Sequence, residues 1–110
     1  MVECNPQLDA LFFALADSTR RNILSRVAAT ELTIGEIAAH YGLTFAAISK
    51  HIKVLEKANL VRKQRSGKQQ LVIIVPDSLK IAQEHIARYA KLWEQRFDQL
   101  EALLTEYKES

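Results

Sequence analysis

The chain has 110 residues, of which 48% are hydrophobic and 25% charged, with a formal net charge of +2. This length allows one domain with a modest core, and this composition argues against extensive disorder. The longest aliphatic stretch, Leu71 to Val75, is far shorter than the roughly 20 residues of a membrane helix. The acidic N-terminal region does not resemble a signal peptide, so a cytoplasmic location without a membrane partner is expected.

Positive charge is concentrated in one segment of the chain. Between Thr44 and Gln70, seven cations against the single acid Glu56 give +6, which leaves −4 for the rest of a chain of net charge +2. A local excess of this kind favours a polyanionic partner, because neutralised phosphates release their counterions. The cationic residues are Lys50, Lys53, Lys57, Arg62, Lys63, Arg65 and Lys68.

Cys4 is the single cysteine, so no disulfide can form within one chain. The simplest interpretation is a tolerated thiol near the end of the chain. A redox-sensing or metal-sensing thiol that acts across a dimer stays open as an alternative.

Two helices are predicted before residue 30. Apolar residues at helical spacing predict the first from about residue 6 to residue 16: Leu8, Leu11, Phe12 and Leu15. Asp17 is predicted to cap the second helix by accepting from its first free N–H groups. The buried stripe of that helix is predicted to be Ile23, Leu24, Val27 and Ala28.

The next segment has the signals of a helix-turn-helix. Thr33 and Glu36 have the spacing of a capping box, and Gly42 is suited to the positive φ that ends a helix. Thr44 is predicted to cap the following helix, which extends to about Asn59. The residues expected to point inward are Leu43, Ile48, Ile52 and Leu55. The short connection between the two helices is typical of a helix-turn-helix.

A basic hairpin follows. Residues 60–65 and 69–75 are β-capable segments joined around Ser66-Gly67-Lys68, where Gly67 can supply positive φ. A hairpin directly after a recognition helix is a wing. The earlier connection at residues 30–32 has room for a short strand. The predicted fold class is therefore mainly α with a small β-hairpin: a winged helix-turn-helix with about five helices and a two-stranded wing.

The last predicted helix runs from about residue 77 to residue 107 and has more apolar surface than a small core can cover. We expect it to join the first helix in a homodimer interface, and the chain to form one domain with dimerisation helices at both ends. An internal core is the alternative for this apolar stripe. The predicted interface residues are Leu8, Leu11, Phe12, Tyr89, Trp93, Phe97, Leu100 and Leu104.

Three strings together closely resemble the arsenic-repressor (ArsR-type) family of dimeric winged-helix repressors of bacteria. They are Leu15-Ala16-Asp17-Ser18-Thr19-Arg20-Arg21-Asn22-Ile23-Leu24, Ile37-Ala38 and Ile48-Ser49-Lys50-His51-Ile52-Lys53-Val54-Leu55. The resemblance covers residues 8–104. It implies a dimeric repressor that binds double-stranded DNA. Two such subunits about a two-fold axis imply an inverted-repeat operator with half-sites about one helical turn apart.

The resemblance also raises the question of an effector. The family's thiolate sensor site would fall on Leu32-Thr33-Ile34-Gly35-Glu36, where Thr and Gly replace the two thiols and cannot donate a soft ligand. The family's other common site pairs carboxylate and His residues along the last helix across the dimer. That helix has the single histidine His85 here, which gives too few ligands for a four-coordinate site. No metal site and no cofactor are therefore predicted, while a sensor of a metal, redox state or organic ligand remains an alternative.

The helix that begins after Thr44 is expected to enter the major groove by its first turns. Ser49 and Lys50 can reach base edges, and the helix start can hold a phosphate. His51 is assigned to a phosphate or base contact with packing as an equal alternative. The predicted DNA contacts are Thr44, Phe45, Ala46, Ala47, Ser49, Lys50, His51, Lys53, Arg65 and Lys68, with Lys63 as a further candidate.

Other classes of function fit less well. No catalytic constellation stands out in the sequence, so no enzyme and no catalytic residues are predicted. A winged helix that binds another protein is the remaining alternative, and the cationic wing argues against it.

Overall fold

The computed structural model describes residues 5–109, which form five helices and three strands. The helices are α1 (Pro6–Leu15), α2 (Ser18–Ala29), α3 (Ile34–Tyr41), α4 (Phe45–Lys57) and α5 (Asp77–Glu109). The strands are β1 (Leu32–Thr33), β2 (Val61–Ser66) and β3 (Gln69–Ile74). This arrangement confirms the predicted winged helix-turn-helix. Cys4, with its predicted alternatives, lies outside the described residues.

Local sequence signals determine where the helices begin and end. The side chain of Asp17 accepts from the backbone N–H of Arg20, as predicted for the N-cap of α2. At α3, Thr33 and Glu36 form the predicted capping box, and Gly42 ends the helix with φ 63°. These features confirm the helix boundaries inferred for the helix-turn-helix.

The sheet has one strand more than the predicted wing. Its order is β1-β3-β2, and both neighbouring pairs are antiparallel. The short β1 pairs Leu32 with Val72, so the connection after α2 becomes an edge of the sheet. The hairpin pairs Val61 with Ile74 and turns at Gly67, whose φ is 63°.

The chain divides into two compact units, one up to Lys80 and one from Ile81 onward. In the first unit, α1 to α4 and the sheet share a core in which α3 packs on α4 and α2 packs on β3. The fully buried side chains of this core include Leu11, Ile23, Ile37, Ile48, Ile52, Leu55, Leu60 and Val72. The second unit is the remainder of α5. The expectation of a single domain with terminal dimerisation helices stays a prediction.

Two residues expected in the core lie outside it. Ala28 is exposed, because it lies at the edge of the apolar stripe of α2. Leu43, in the turn between α3 and α4, is 42% exposed. The backbone N–H of Leu43 donates to the carbonyl of Ala38 and closes the end of α3. The position of Leu43 is therefore set by this turn and not by packing in the core.

Candidate nucleic-acid interface

The recognition helix α4 is held by its cap and its apolar face. The side-chain oxygen of Thr44 accepts from the backbone N–H of Ala47 at 3.1 Å. Ile48, Ile52 and Leu55 are fully buried, which fixes the rotation of the helix about its axis. The lysines of the opposite face therefore point to solvent.

None of the ten predicted DNA contacts lies in the core. Seven are exposed: Thr44, Phe45, Ala46, Lys50, Lys53, Arg65 and Lys68. Three are half-buried: Ala47, Ser49 and His51. This accessibility meets the first requirement of a groove contact, while the contacts themselves stay predictions.

A cleft of about 520 Å³ connects the helical and wing parts of this surface. It brings the ring of Phe45 together with Arg65 and Lys68 of the wing tip. Its other lining residues belong to the start of α3 and to β3: Thr33, Ile34, Gly35, Gln69 and Gln70. The predicted surface is thus continuous from α4 to the wing.

Two contacts organise the cations of the wing. Arg65 donates from Nε to the carbonyl of Gly67 at 3.2 Å, which orients its side chain at the tip. Lys63 lies 3.2 Å from Glu56 of α4, with both side chains about one-third exposed. Lys63 is therefore paired within the protein, which argues against the sequence-based suggestion that it reaches DNA.

A contact that sequence reasoning missed joins α2 to α4. His51 Nδ1 lies 3.9 Å from Asp17 Oδ2, and both side chains are partly exposed. The capping role of Asp17 is visible in the sequence because it is local. Its second contact depends on how α2 packs against α4, for which the sequence offers no signal.

The electrostatics of Asp17 follow from its capping role. The pKa of its carboxyl is lowered, chiefly because the backbone N–H of Arg20 donates to it. Desolvation opposes this shift, and the positive charge of Arg20 reinforces it. Asp17 therefore stays ionised at neutral pH.

Two arginines fasten the end of α1 to the start of α2. Arg20 donates from Nε to the carbonyl of Ala14 at 2.8 Å and from Nη2 to that of Phe13 at 2.9 Å. Arg21 donates from Nη1 to the carbonyl of Leu15 at 2.8 Å. The carbonyl of Phe13 also accepts from the backbone N–H of Ala16. The guanidinium groups supply further donors at this helix end and fix the α1–α2 joint next to Asp17.

The predicted dimer residues divide into accessible and buried ones. Leu11 is 1% exposed and packs inside its own chain, so its assignment to an interface is wrong: the inner face of α1 is needed for the core. Leu8 is half-buried and Phe12 is exposed. The residues of α5 are all about half exposed or more: Tyr89, Trp93, Phe97, Leu100 and Leu104.

Residues 5–109 contain no cluster of three or more His, Cys, Asp or Glu side chains placed to hold a metal ion. Within the same range, no helix combines the length and apolar character that crossing a bilayer demands.

Comparison with known proteins identifies the family. The sequence profile described as "Bacterial regulatory protein, arsR family" matches residues 17–63, from the cap of α2 into the wing. The HTH-type transcriptional regulator YuzN of Bacillus subtilis is 41% identical over 83 residues, which is 69% of this chain and 90% of that protein. The chain belongs to the ArsR family. Its relatives carry the names of transcriptional regulators, a class of DNA-binding proteins and not of enzymes.

Further relatives agree with this assignment to the ArsR family. The transcriptional repressor SdpR of Bacillus subtilis is 33% identical over 60 residues, covering 54% of this chain and 67% of SdpR. The crystal structure of the ArsR family transcriptional regulator RHA00566 superimposes with a TM-score of 0.77 at 30% identity, over 86% of this chain and 97% of that one. A homodimeric winged helix-turn-helix DNA-binding domain from Mycobacterium bovis shares the fold, with a TM-score of 0.63 at 24% identity over 80% of this chain and 90% of that one.

Proposed function

We propose that the protein is a homodimeric transcriptional repressor that binds an inverted-repeat operator in double-stranded DNA and needs no metal to do so. The observation that carries this proposal is the coincidence of charge and shape. The segment with a charge of +6 is the recognition helix and its wing, and most of its cations are exposed. Phosphates are the natural partners of such a surface.

Each part of the surface has its own task in this proposal. The first turns of α4 enter the major groove, where Ser49 and Lys50 reach base edges. Thr44 and the free N–H groups at the helix start hold a phosphate. Lys53 adds a phosphate contact, and the apolar side chains that precede Ser49 touch thymine methyl groups or the sugar wall: Phe45, Ala46 and Ala47.

The wing completes the proposed contact. Arg65 and Lys68 reach phosphates or the adjacent minor groove from the tip of the hairpin. With so few polar side chains at base edges, direct readout is modest, and the shape of the DNA supplies the remaining specificity.

The apolar stripe of α5 supports a homodimer. Trp93 and Phe97 are both exposed by more than half, with ring centroids 6.0 Å apart on one side of the helix. Burying a large apolar side chain contributes roughly 1.5–3 kcal/mol, so a second copy that covers this stripe gains several such terms. Two subunits related by a two-fold axis place their recognition helices about one turn of DNA apart.

Repression is the direction of regulation that this arrangement favours. A dimer that covers its operator excludes other proteins from the same DNA, and the relative SdpR is named a repressor. In this proposal the surface cleft beside the wing takes part in DNA binding. No effector is assigned to the cleft.

Selection of bound sequences from a random duplex pool tests the proposal, with and without metals and reductant. We expect an inverted repeat whose half-sites lie about one helical turn apart, and the same repeat in every condition. A protein that remains monomeric at micromolar concentration, or that ignores duplex DNA at low salt, contradicts the proposal. A repeat selected only with metal contradicts the metal-independent part.

A further inference from the structure

The contact between α2 and α4 has a consequence for DNA recognition. We infer that Asp17 is a positioning residue for His51, holding the neutral imidazole so that Nδ1 carries the proton and Nε2 accepts a hydrogen bond from an exocyclic amino group in the major groove. This inference rests on the proposed function, because it assumes that α4 enters that groove.

The carboxylate of Asp17 has a fixed position. Asp17 Oδ2 accepts from the backbone N–H of Arg20 at 3.0 Å, which ties it to the first turn of α2. The Arg20 and Arg21 side chains clamp the same joint to the end of α1 through three hydrogen bonds. The negative charge that faces α4 is therefore set by backbone geometry and not by a freely rotating side chain.

The negative charge of Asp17 acts on the imidazole of His51. Nδ1 is the ring nitrogen nearest to Asp17, at 3.9 Å, a distance of electrostatic contact and longer than a hydrogen bond. An N–H dipole directed at a carboxylate is stabilised, and the partner of one ring nitrogen decides where the proton of a neutral histidine resides. Asp17 therefore favours Nδ1–H over the alternative tautomer.

The second ring nitrogen of His51, Nε2, can then accept a hydrogen bond. The two ring nitrogens are separated by one carbon, so an imidazole whose Nδ1 faces Asp17 keeps Nε2 for a second partner. The His51 side chain flanks the buried stripe of α4 and is 25% exposed. A neutral imidazole with its proton on Nδ1 has one acceptor and no donor at Nε2. In the major groove such an acceptor matches the amino group of adenine or of cytosine.

The orientation therefore makes a prediction about bases. Lys50, a donor, matches the acceptors of guanine or a phosphate, whereas His51 in this tautomer rejects them. Each half-site should carry one position at which adenine or cytosine is preferred because of His51.

Asp17→Ser is the variant that separates positioning from capping. Serine caps a helix about as well as aspartate, so α2 remains intact, but its side chain is too short and uncharged to act on His51. Glu31→Ser is the matched control, since it removes the same charge from an exposed residue between α2 and β1. His51→Ala supplies the background in which Asp17 has nothing to position.

The first measurement needs no DNA. Long-range proton–nitrogen NMR spectra at pH 8.5, about two units above the ordinary pKa of histidine, report the tautomer of each imidazole. The His51→Ala spectrum assigns the signals. We expect Nδ1–H for His51 in the wild type and in Glu31→Ser, and Nε2–H in Asp17→Ser. An unchanged tautomer in Asp17→Ser overturns the inference.

The second measurement uses the selected operator. We expect Asp17→Ser to weaken binding about five- to tenfold, the lower range for one base contact, and to lose the adenine or cytosine preference at one position. In the His51→Ala background the same substitution should cost nothing further. An equal loss in both backgrounds overturns the inference, because it shows a purely structural role.

The two measurements distinguish a failure of this inference from a failure of the proposed function. A wild-type protein that binds no duplex contradicts both. Normal operator binding together with an unaltered tautomer, or without the base preference, contradicts the role of Asp17 alone.

Discussion

Lys50 and Lys68 are both exposed lysines of the basic segment, but they lie on different elements. Lys50 is on the outer face of α4, and Lys68 is in the turn of the wing. In the proposed complex the first reads base edges and the second neutralises a phosphate. Substitution of the two residues should therefore have different signatures.

We expect Lys50→Ala to weaken the operator more than random duplex, because a base contact is lost. Lys68→Ala should weaken all duplexes alike and reduce the salt dependence of binding by about one unit. Titrations of operator and random DNA over a range of salt concentrations measure both effects. An equal loss on the two DNAs for Lys50→Ala contradicts its assignment.

The lowered pKa of Asp17 makes a prediction about acid stability. A carboxyl whose pKa is lower in the folded chain stabilises it above the unfolded value of 3.8, and this contribution disappears as the pH falls through the folded value. Asp17→Asn keeps a cap without a charge.

Well above pH 3.8 the wild type should therefore be more stable than Asp17→Asn, and the difference should shrink as the pH falls below 3.8 and vanish below the folded pKa. Urea unfolding at neutral pH and at two acidic pH values measures the gap. A difference that is the same at every pH assigns the effect to the shape of the cap instead of its charge.

Residues whose role is local could be assigned from the sequence. The caps Asp17, Thr33 and Thr44 each act within three residues of their own position, so spacing was sufficient. The pairing of Lys63 with Glu56 and the clamp formed by Arg20 and Arg21 required the packing of elements, which spacing cannot supply. The burial of Leu11 was misread for the same reason.

At the scale of elements, the turn of the helix-turn-helix depends on one backbone conformation. Gly42 has φ 63°, and the backbone N–H of Leu43 closes on the carbonyl of Ala38 at 3.1 Å. A residue with a Cβ loses roughly 1–2 kcal/mol in this left-handed region. Apart from Gly42 itself and its two chain neighbours, no atom lies within 4 Å of the Cβ that Gly42 would gain, so the cost arises from the local backbone conformation and not from a clash with another element.

Gly42→Ala should lower the free energy of unfolding by about 1 kcal/mol, measured by chemical denaturation. Gly35→Ala is the matched control. Gly35 lies inside α3 with ordinary φ, and its added Cβ would lie 3.9 Å from Thr33 Oγ1, an ordinary contact. This control should be neutral or stabilising, because alanine favours a helix over glycine by about 1 kcal/mol. Equal destabilisation by both changes contradicts the argument.

The elements themselves differ in how well the sequence predicts them. The helices and the hairpin have periodic apolar residues and turn signals, and they appear close to the expected bounds. The strand β1 has two residues, too few for any period. Its existence depends on pairing with β3, which is distant in the chain.

For the whole molecule, the apolar stripe of α5 is the feature on which the proposed homodimer depends. Its large apolar residues, from Ile86 to Tyr107, occupy an arc of roughly 140° at 100° per residue. That arc is wider than the seam of a two-stranded coiled coil. It matches a helix that meets more than one neighbour in a dimer.

Trp93→Glu should shift the protein from dimer to monomer and weaken operator binding, because two linked half-site contacts become independent. Gln95→Glu introduces the same charge on the opposite side of α5 and should leave the dimer intact. Sedimentation at micromolar concentration measures the state of each variant. A dimer that persists in Trp93→Glu places the interface elsewhere.

The fold class was within reach of the sequence, since charge, caps and turn signals all indicate one winged helix-turn-helix. The way in which copies of the chain associate could not be predicted from the sequence. An exposed apolar stripe is a property of one molecule, whereas an interface depends on how two molecules fit together.

The start of the wing has a fixed position relative to α4. The buried Leu60 and Val61 anchor this junction, and the partly exposed ion pair between Lys63 and Glu56 lies beside it. In the proposed complex, the two surfaces that meet the DNA therefore keep a nearly constant spacing. A half-site lengthened by a single inserted base pair between the stretch under α4 and the stretch under the wing would no longer fit both, whatever its bases.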